Sequence, residues 1–288
     1  MPRQVVRKTL LALPLLFIAA FFLVPLGLSV AISFWERVGL RVRPAFTLHS
    51  YAEFFSGVRF AVLERSLLVA AEVTLAGLLI AYPIAYVLAV KASRQATRLV
   101  LLLFTIPFLV NYVIRTFSWS YLLSRTGPVN QALIAFGLAD RPVDWLLYSD
   151  FAVFIGLLTS YMPFMVFPLW LALAGIDRRL VEASWLLGSP PLASFLRVTL
   201  PLSLPGVFAA VIFGFVGSFG ESAVPIILGG PGYQLMGNAI TSTLDVLNYP
   251  LAAAMSSTVI ATMLLLLAIW YLAFDLRSFL GKILRWRV

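Results

Sequence analysis

In a chain this apolar the side chains able to do chemistry are few, so their positions carry much of the information. Arg115, in LVNYVIRTFSW, and Glu221, in GSFGESAVP, interrupt long apolar stretches. An ionisable group inside such a stretch is costly and is by default a candidate for a functional site. The Glu221 carboxylate could pair with an ammonium group or serve as a structural hydrogen-bond acceptor, and Gly217 and Gly220 beside it permit close helix contact. Arg115 could touch a ligand, or it could form an ion pair with Glu72 or with a second chain; its charge would repel a cationic ligand directly. Asn111, Tyr112 and Trp119 share the Arg115 stretch and join it as candidates. Asp245 is a further candidate, and with Asp140, Asp144 and Asp150 it forms either a docking or gating surface or an ordinary solvated face.

Enzymatic chemistry is poorly supplied. His49 is the one histidine, so neither an HExxH pair nor a histidine-based triad can be assembled within the chain. Zero cysteines remove disulfides, thiolate metal sites and cysteine nucleophiles. The phosphate-binding pattern GxxxxGK[ST] is missing as well, because Gly281-Lys282 is followed by Ile283 and position 276 is Leu276. If ATP drives this protein, another chain binds it.

The elements that position these groups must suit lipid. Of 288 residues 61% are hydrophobic and 11% charged, against roughly 45–50% and about 25% in soluble domains. Six apolar runs are long enough for a helix to cross ~30 Å of hydrocarbon: Leu10–Ile32, Ser66–Val90, Leu99–Leu123, Phe151–Ala174, Leu204–Leu228 and Leu251–Phe274. They lack the alternation of barrel strands, which predicts an all-α membrane protein of six spans. The first run reads as a retained first helix, since its apolar stretch is too long for a signal peptide and lacks a convincing small-residue cleavage site. Pro83, Pro107, Pro163, Pro168 and Pro225 would kink their spans. Trp119, Tyr121, Trp145 and Tyr148 suit an interfacial aromatic belt.

Lys and Arg accumulate in cytoplasmic loops. With the N-terminus inside, that side holds 13 of the 21 basic residues, among them Arg3, Arg94, Arg98, Arg178 and Arg287. Both termini are therefore expected in the cytoplasm. The net charge of +9 is spread over several loops, which attracts anionic lipid headgroups and gives no nucleic-acid module. Residues 1–60 read as a first span with its outer loop, 61–275 as the membrane core, and 276–288 as a basic tail.

The longest segment on the cytoplasmic side, 175–203, contains VEASWLLGSPPLASFLRVTLP. Asp177–Leu187 reads as a short amphipathic helix with Leu180, Ala183, Ser184 and Leu187 on one side. Gly188 stops it, and Pro190 and Pro191 can start a second short helix that ends before Pro201. Glu182-Ala183-Ser184, then Gly188, then Val198-Thr199-Leu200-Pro201 resembles the EAA signature of permease subunits in binding-protein-dependent ABC importers: EAA, three residues, G, nine residues, I-x-L-P. Ser184 replaces the second alanine and Val198 the isoleucine. FTLHSYAEFF, AYPIAYVLA, IPFLVNYVIRTFSWSYLLSRTGPVN and YMPFMVFPLW extend the resemblance over nearly the whole chain, to the spermidine/putrescine branch and its first-permease type.

That resemblance implies a type I importer fold in which the 175–203 knuckle is the coupling helix between spans four and five. It implies that Glu182, Ala183, Ser184, Trp185, Gly188, Leu200 and Pro201 meet an ATPase subunit. It also implies a heterodimer with a second permease, two ATPase subunits that bind ATP and Mg, a periplasmic binding protein, and a place in the bacterial inner membrane. The cargo it implies is a polyamine, with opine-like, aminophosphonate or amino-acid-derived solutes as the alternative. A secondary transporter would be expected to show inverted repeats, which this chain lacks. An intramembrane enzyme would want a cluster of catalytic side chains at one depth.

Overall fold

Long apolar segments in lipid must satisfy every backbone hydrogen bond internally, and the helix does so along one strand of chain. A computed structural model of the protein describes residue 12 and residues 14–39 and 41–273. The tail at 276–288 and the beginning of the first run, at Leu10, lie outside these residues. The helices are α1 (Pro14–Ile32), α2 (His49–Ser56), α3 (Val58–Lys91), α4 (Arg94–Leu109), α5 (Tyr112–Leu123), α6 (Pro128–Ala135), α7 (Asp150–Ala174), α8 (Arg178–Leu186), α9 (Pro191–Gly220), α10 (Ala223–Leu228), α11 (Met236–Asp245) and α12 (Tyr249–Ala273). A small antiparallel hairpin, β1 (Glu36–Val38) with β2 (Arg41–Arg43), follows α1 and pairs Glu36 with Arg43.

Among the described residues five helices, α1, α3, α7, α9 and α12, are long and apolar enough to cross a membrane, and the bent pair of segments before and after residue 110 makes a sixth if the two are counted as one span. The third apolar run, expected as one helix over Leu99–Leu123, is therefore two. Helices over Arg94–Pro107 and Tyr112–Ala135 are bent 91° to each other. Pro107 removes an amide from the α4 ladder, Val110 turns extended, and the Asn111 side chain accepts the Val113 amide at 2.9 Å, capping a new helix.

The fifth run differs too. The second short helix, expected to end before Pro201, continues: a π-helical turn over Phe195–Thr199, closed by the Leu200 amide on the Phe195 carbonyl, carries it into the membrane helix. This wider turn accommodates the proline that an unbroken α-helical ladder would not. At its other end α9 stops at Gly220, Glu221 is extended, and α10 restarts two residues later, where one continuous span to Leu228 was expected.

The described residues pack as two compact units, those up to Ala61 with those from Ile240 onward, and residues 62–239. In the first, α12 packs against α1 and α2, burying Phe54, Leu251 and Met255, and Ser33 Oγ lies 2.8 Å from the Tyr51 hydroxyl. In the second, α7 is central. Gly206, Ala210, Gly214 and Gly217 of α9 are spaced four, four and three apart, and the glycines among them lie against Ala172, Met165 and Tyr161 of α7. One core cluster gathers Val73, Leu123, Leu157 and Leu228, and another Ala81, Met165, Leu169 and Ala210. Arg65 of α3 bonds Asp150 at 2.6 Å and lies over the Tyr233 ring, whose hydroxyl donates to Asp150 at 2.7 Å.

Candidate functional site

The loop between α7 and α9 is built by caps. Asp177 accepts the Arg179 amide at 3.0 Å to start α8, and the Arg178 guanidinium donates to the Ala89 and Val90 carbonyls that end α3, at 3.3 and 3.2 Å. The helix closes with the Gly188 amide on the Trp185 carbonyl at 2.9 Å and the Ser189 amide on the Ser184 carbonyl at 3.0 Å. That pair of bonds requires a left-handed residue at the corner, and Gly188 has φ +82°. Ser184 Oγ lies 2.6 Å from Ser194 Oγ, so the residue that departs from the EAA pattern ties α8 to the first turn of α9. No residue of α8 is buried; Glu182 is exposed, as are Trp185, Leu186 (89%) and Leu187 (87%). Adjacent large apolar side chains left in the open mark a surface for another molecule.

Deeper in the same unit a cavity of about 690 Å³ opens where both broken helices meet α7. Asn111, Tyr112 and Arg115 line it from the first break, and Glu221 and Ser222 from the second. Four of the candidate residues thus share one cavity. Trp119 does not line it: it packs against the core cluster around Leu123 and Leu146. Asp245 is an exposed residue at the end of α11, in the other unit.

Glu221 carries three hydrogen bonds. Its Oε1 accepts the amides of Ser222 and Ala223, both at 3.0 Å, and its Oε2 accepts the Tyr161 hydroxyl at 2.9 Å. A carboxylate has about four lone-pair sites, so capacity for one more donor is left. Arg115 donates from Nη1 to the Pro107 carbonyl at 3.0 Å, bracing the first break, while its Nε is buried without a partner. It forms no salt bridge with Glu72 among the described residues. Tyr161 escapes a reading of the sequence because it is one tyrosine in a long apolar helix, 60 positions from Glu221. Gly217 is what brings it close, since a Cβ there would overlap the Tyr161 ring; at Gly220 the Cβ position is open, while its carbonyl lies against Gly237 of α11.

A family profile described as "Binding-protein-dependent transport system inner membrane component" matches residues 74–278. The chain belongs to this family. Among curated relatives, the spermidine/putrescine transport system permease protein PotB of Escherichia coli (strain K12) is 33% identical over 259 residues, covering 89% of this chain and 94% of the relative. The putative 2-aminoethylphosphonate transport system permease protein PhnU of Salmonella paratyphi A (strain ATCC 9150 / SARB42) is 27% identical over 265 residues, covering 90% and 85%. A crystal structure of a bacterial alginate ABC transporter, in complex with an alginate pentasaccharide-bound periplasmic protein, superposes with a TM-score of 0.70 at 18% identity, covering 91% of this chain and 93% of that one. The fold is that of an ABC transporter permease, and the family is one of inner membrane transport components rather than enzymes.

Proposed function

We propose that this chain is one of two permease subunits of an ATP-driven importer that moves a small cationic solute, a polyamine such as spermidine or putrescine, across the bacterial inner membrane. The observation that carries the reading is the cavity at the two helix breaks. Unwound backbone at membrane depth is tolerated only where it is buried in protein or lines a watered cavity, and transporters place solute at such broken helices. Glu221 would take an ammonium group there, and Asn111, Tyr112 and Tyr161 would shape the path around it. Both termini and α8 face the cytoplasm in this reading, and a solute-binding protein docks on the opposite side.

ATP and Mg belong to two partner ATPase subunits. When these close, α8 follows: Glu182 makes charge-assisted hydrogen bonds to the ATPase, Trp185 and Leu186 fill an apolar hollow, and Gly188 holds the corner. The spans then alternate between faces, a change that requires energy differing between the two states, which ATP supplies. Arg115 favours a second reading, a solute bearing an acidic group as well as an amine, such as an aminophosphonate, because its buried Nε is unsatisfied and the residue lines the same cavity as Glu221.

The test is ATP hydrolysis by the assembled complex in lipid nanodiscs, with its binding protein loaded in turn with putrescine, spermidine, an aminophosphonate and other small nitrogenous solutes. Stimulation by polyamines alone is expected. Stimulation only by a zwitterion would transfer the cavity to the second reading, and hydrolysis indifferent to every solute would end the importer reading.

A further inference from the structure

A second cavity, of about 560 Å³, lies between the end of α3, the first turns of α4 and the end of α7. Arg94, Arg98 and Arg178 line it, and no carboxylate does. Arg178 is engaged with the carbonyls at the end of α3, whereas Arg94 and Arg98 are exposed and make neither a hydrogen bond through their side chains nor a salt bridge among the described residues. The rest of the wall is largely apolar, with Leu88, Leu101, Leu102 and Trp170. Along α4 beside it, Leu99, Leu103 and Ile106 remain exposed.

Three arginines lining one cavity without a counter-charge repel one another, and a phosphate, which accepts from planar guanidinium donors, relieves that repulsion. A free anion would leave the leucine and tryptophan wall in water. An amphiphile satisfies both halves. We propose that this cavity binds an anionic phospholipid of the cytoplasmic leaflet, its headgroup phosphate held by Arg94, Arg98 and Arg178 and an acyl chain laid along Leu101 and Leu102. The inference rests on the orientation proposed above, with α8 toward the cytoplasm. Arg178 opens α8, so the headgroup would sit against the element that meets the ATPase.

Native mass spectrometry of the purified whole complex tests this, with dioleoyl phosphatidylglycerol titrated against dioleoyl phosphatidylcholine and against inorganic phosphate. The complex is expected to retain phosphatidylglycerol selectively. Arg94→Gln with Arg98→Gln should weaken that retention about 30-fold, from roughly fivefold per basic residue, while Arg94→Lys with Arg98→Lys keeps most of it. Equal retention of both lipids, or retention unaffected by the glutamine pair, would overturn the site. Phosphate that displaces the lipid at equal concentration would make it a free-anion site and overturn the lipid assignment. Solute-stimulated ATP hydrolysis in the same preparation separates two failures: a solute response without lipid selectivity sinks the lipid site alone, whereas no solute response sinks the importer reading.

Discussion

Glu221 is held by two amides and the Tyr161 hydroxyl, yet it faces the cavity with room for another donor. Glu221→Gln keeps the shape and an acceptor oxygen but removes the charge. A hydrogen bond to a charged group contributes about 1.5–3 kcal/mol, so the KM for a cationic solute should rise at least ~10-fold, measured as uptake into proteoliposomes with assembly checked by copurification. Unchanged uptake kinetics would remove Glu221 from the path. Gly217 acts on the same pair from behind. Gly217→Ala should push the Tyr161 ring aside and lower stability by ~1–3 kcal/mol, the usual result of overpacking. Combining it with Tyr161→Leu should recover much of that loss in thermal unfolding of the complex, whereas additive losses would show that the two do not clash.

Among the elements, α8 and its corner were legible in the sequence and the two breaks were not, for physical reasons. Asp177 as a cap, a short amphipathic period and a glycine needing positive φ are local signals, and each lies within a few residues of its effect. The break before α5 is hidden because hydrophobicity runs through it unchanged; Pro107 followed by Asn111 was the available signal, a lost amide and then a capping side chain. Pro201 misled in the opposite direction, since a π turn lets the helix pass it. Tyr161 and the Ser184–Ser194 contact depend on which helices meet, which no local pattern encodes. Gly188→Val has steric room but must adopt φ near +82°, at a cost of about 1–2 kcal/mol. It should leave the chain inserted while solute-stimulated ATP hydrolysis falls, and wild-type coupling in that variant would count against the role of the corner. Ser184→Ala should weaken coupling by a comparable amount, because it removes two hydrogen bonds, to the Val181 carbonyl and the Ser194 hydroxyl, each of ~0.5–1.5 kcal/mol.

At the scale of the whole molecule, the zero cysteines make orientation measurable without background labelling. Phe46→Cys and Leu187→Cys replace residues 90% and 87% exposed, after α1 and at the end of α8. In intact spheroplasts a membrane-impermeant maleimide should label the first and reach the second only after permeabilisation. Labelling in the reverse pattern would invert the topology and place α8 on the wrong side for an ATPase. Among the described residues the six apolar runs correspond to five unbroken candidate spans and one bent pair that completes six when counted as a single span. The division of the chain between its ends and its middle lies beyond composition, because it depends on α12 returning to pack against α1 and α2.

The unbroken course of α9 has a mechanical consequence. Its 30 residues make a rod about 45 Å long, pinned near one end by the Ser184–Ser194 contact and finishing beside Glu221 at the other. Tilted by ~10° about its pinned end together with α7, on which its glycines are seated, such a rod swings its tip by roughly 8 Å, more than one helical pitch of about 5.4 Å. Small displacements of the knuckle would then be geared up into large ones at the carboxylate, with the π turn at Phe195–Thr199 and the interior Pro205 as compliant points in the lever.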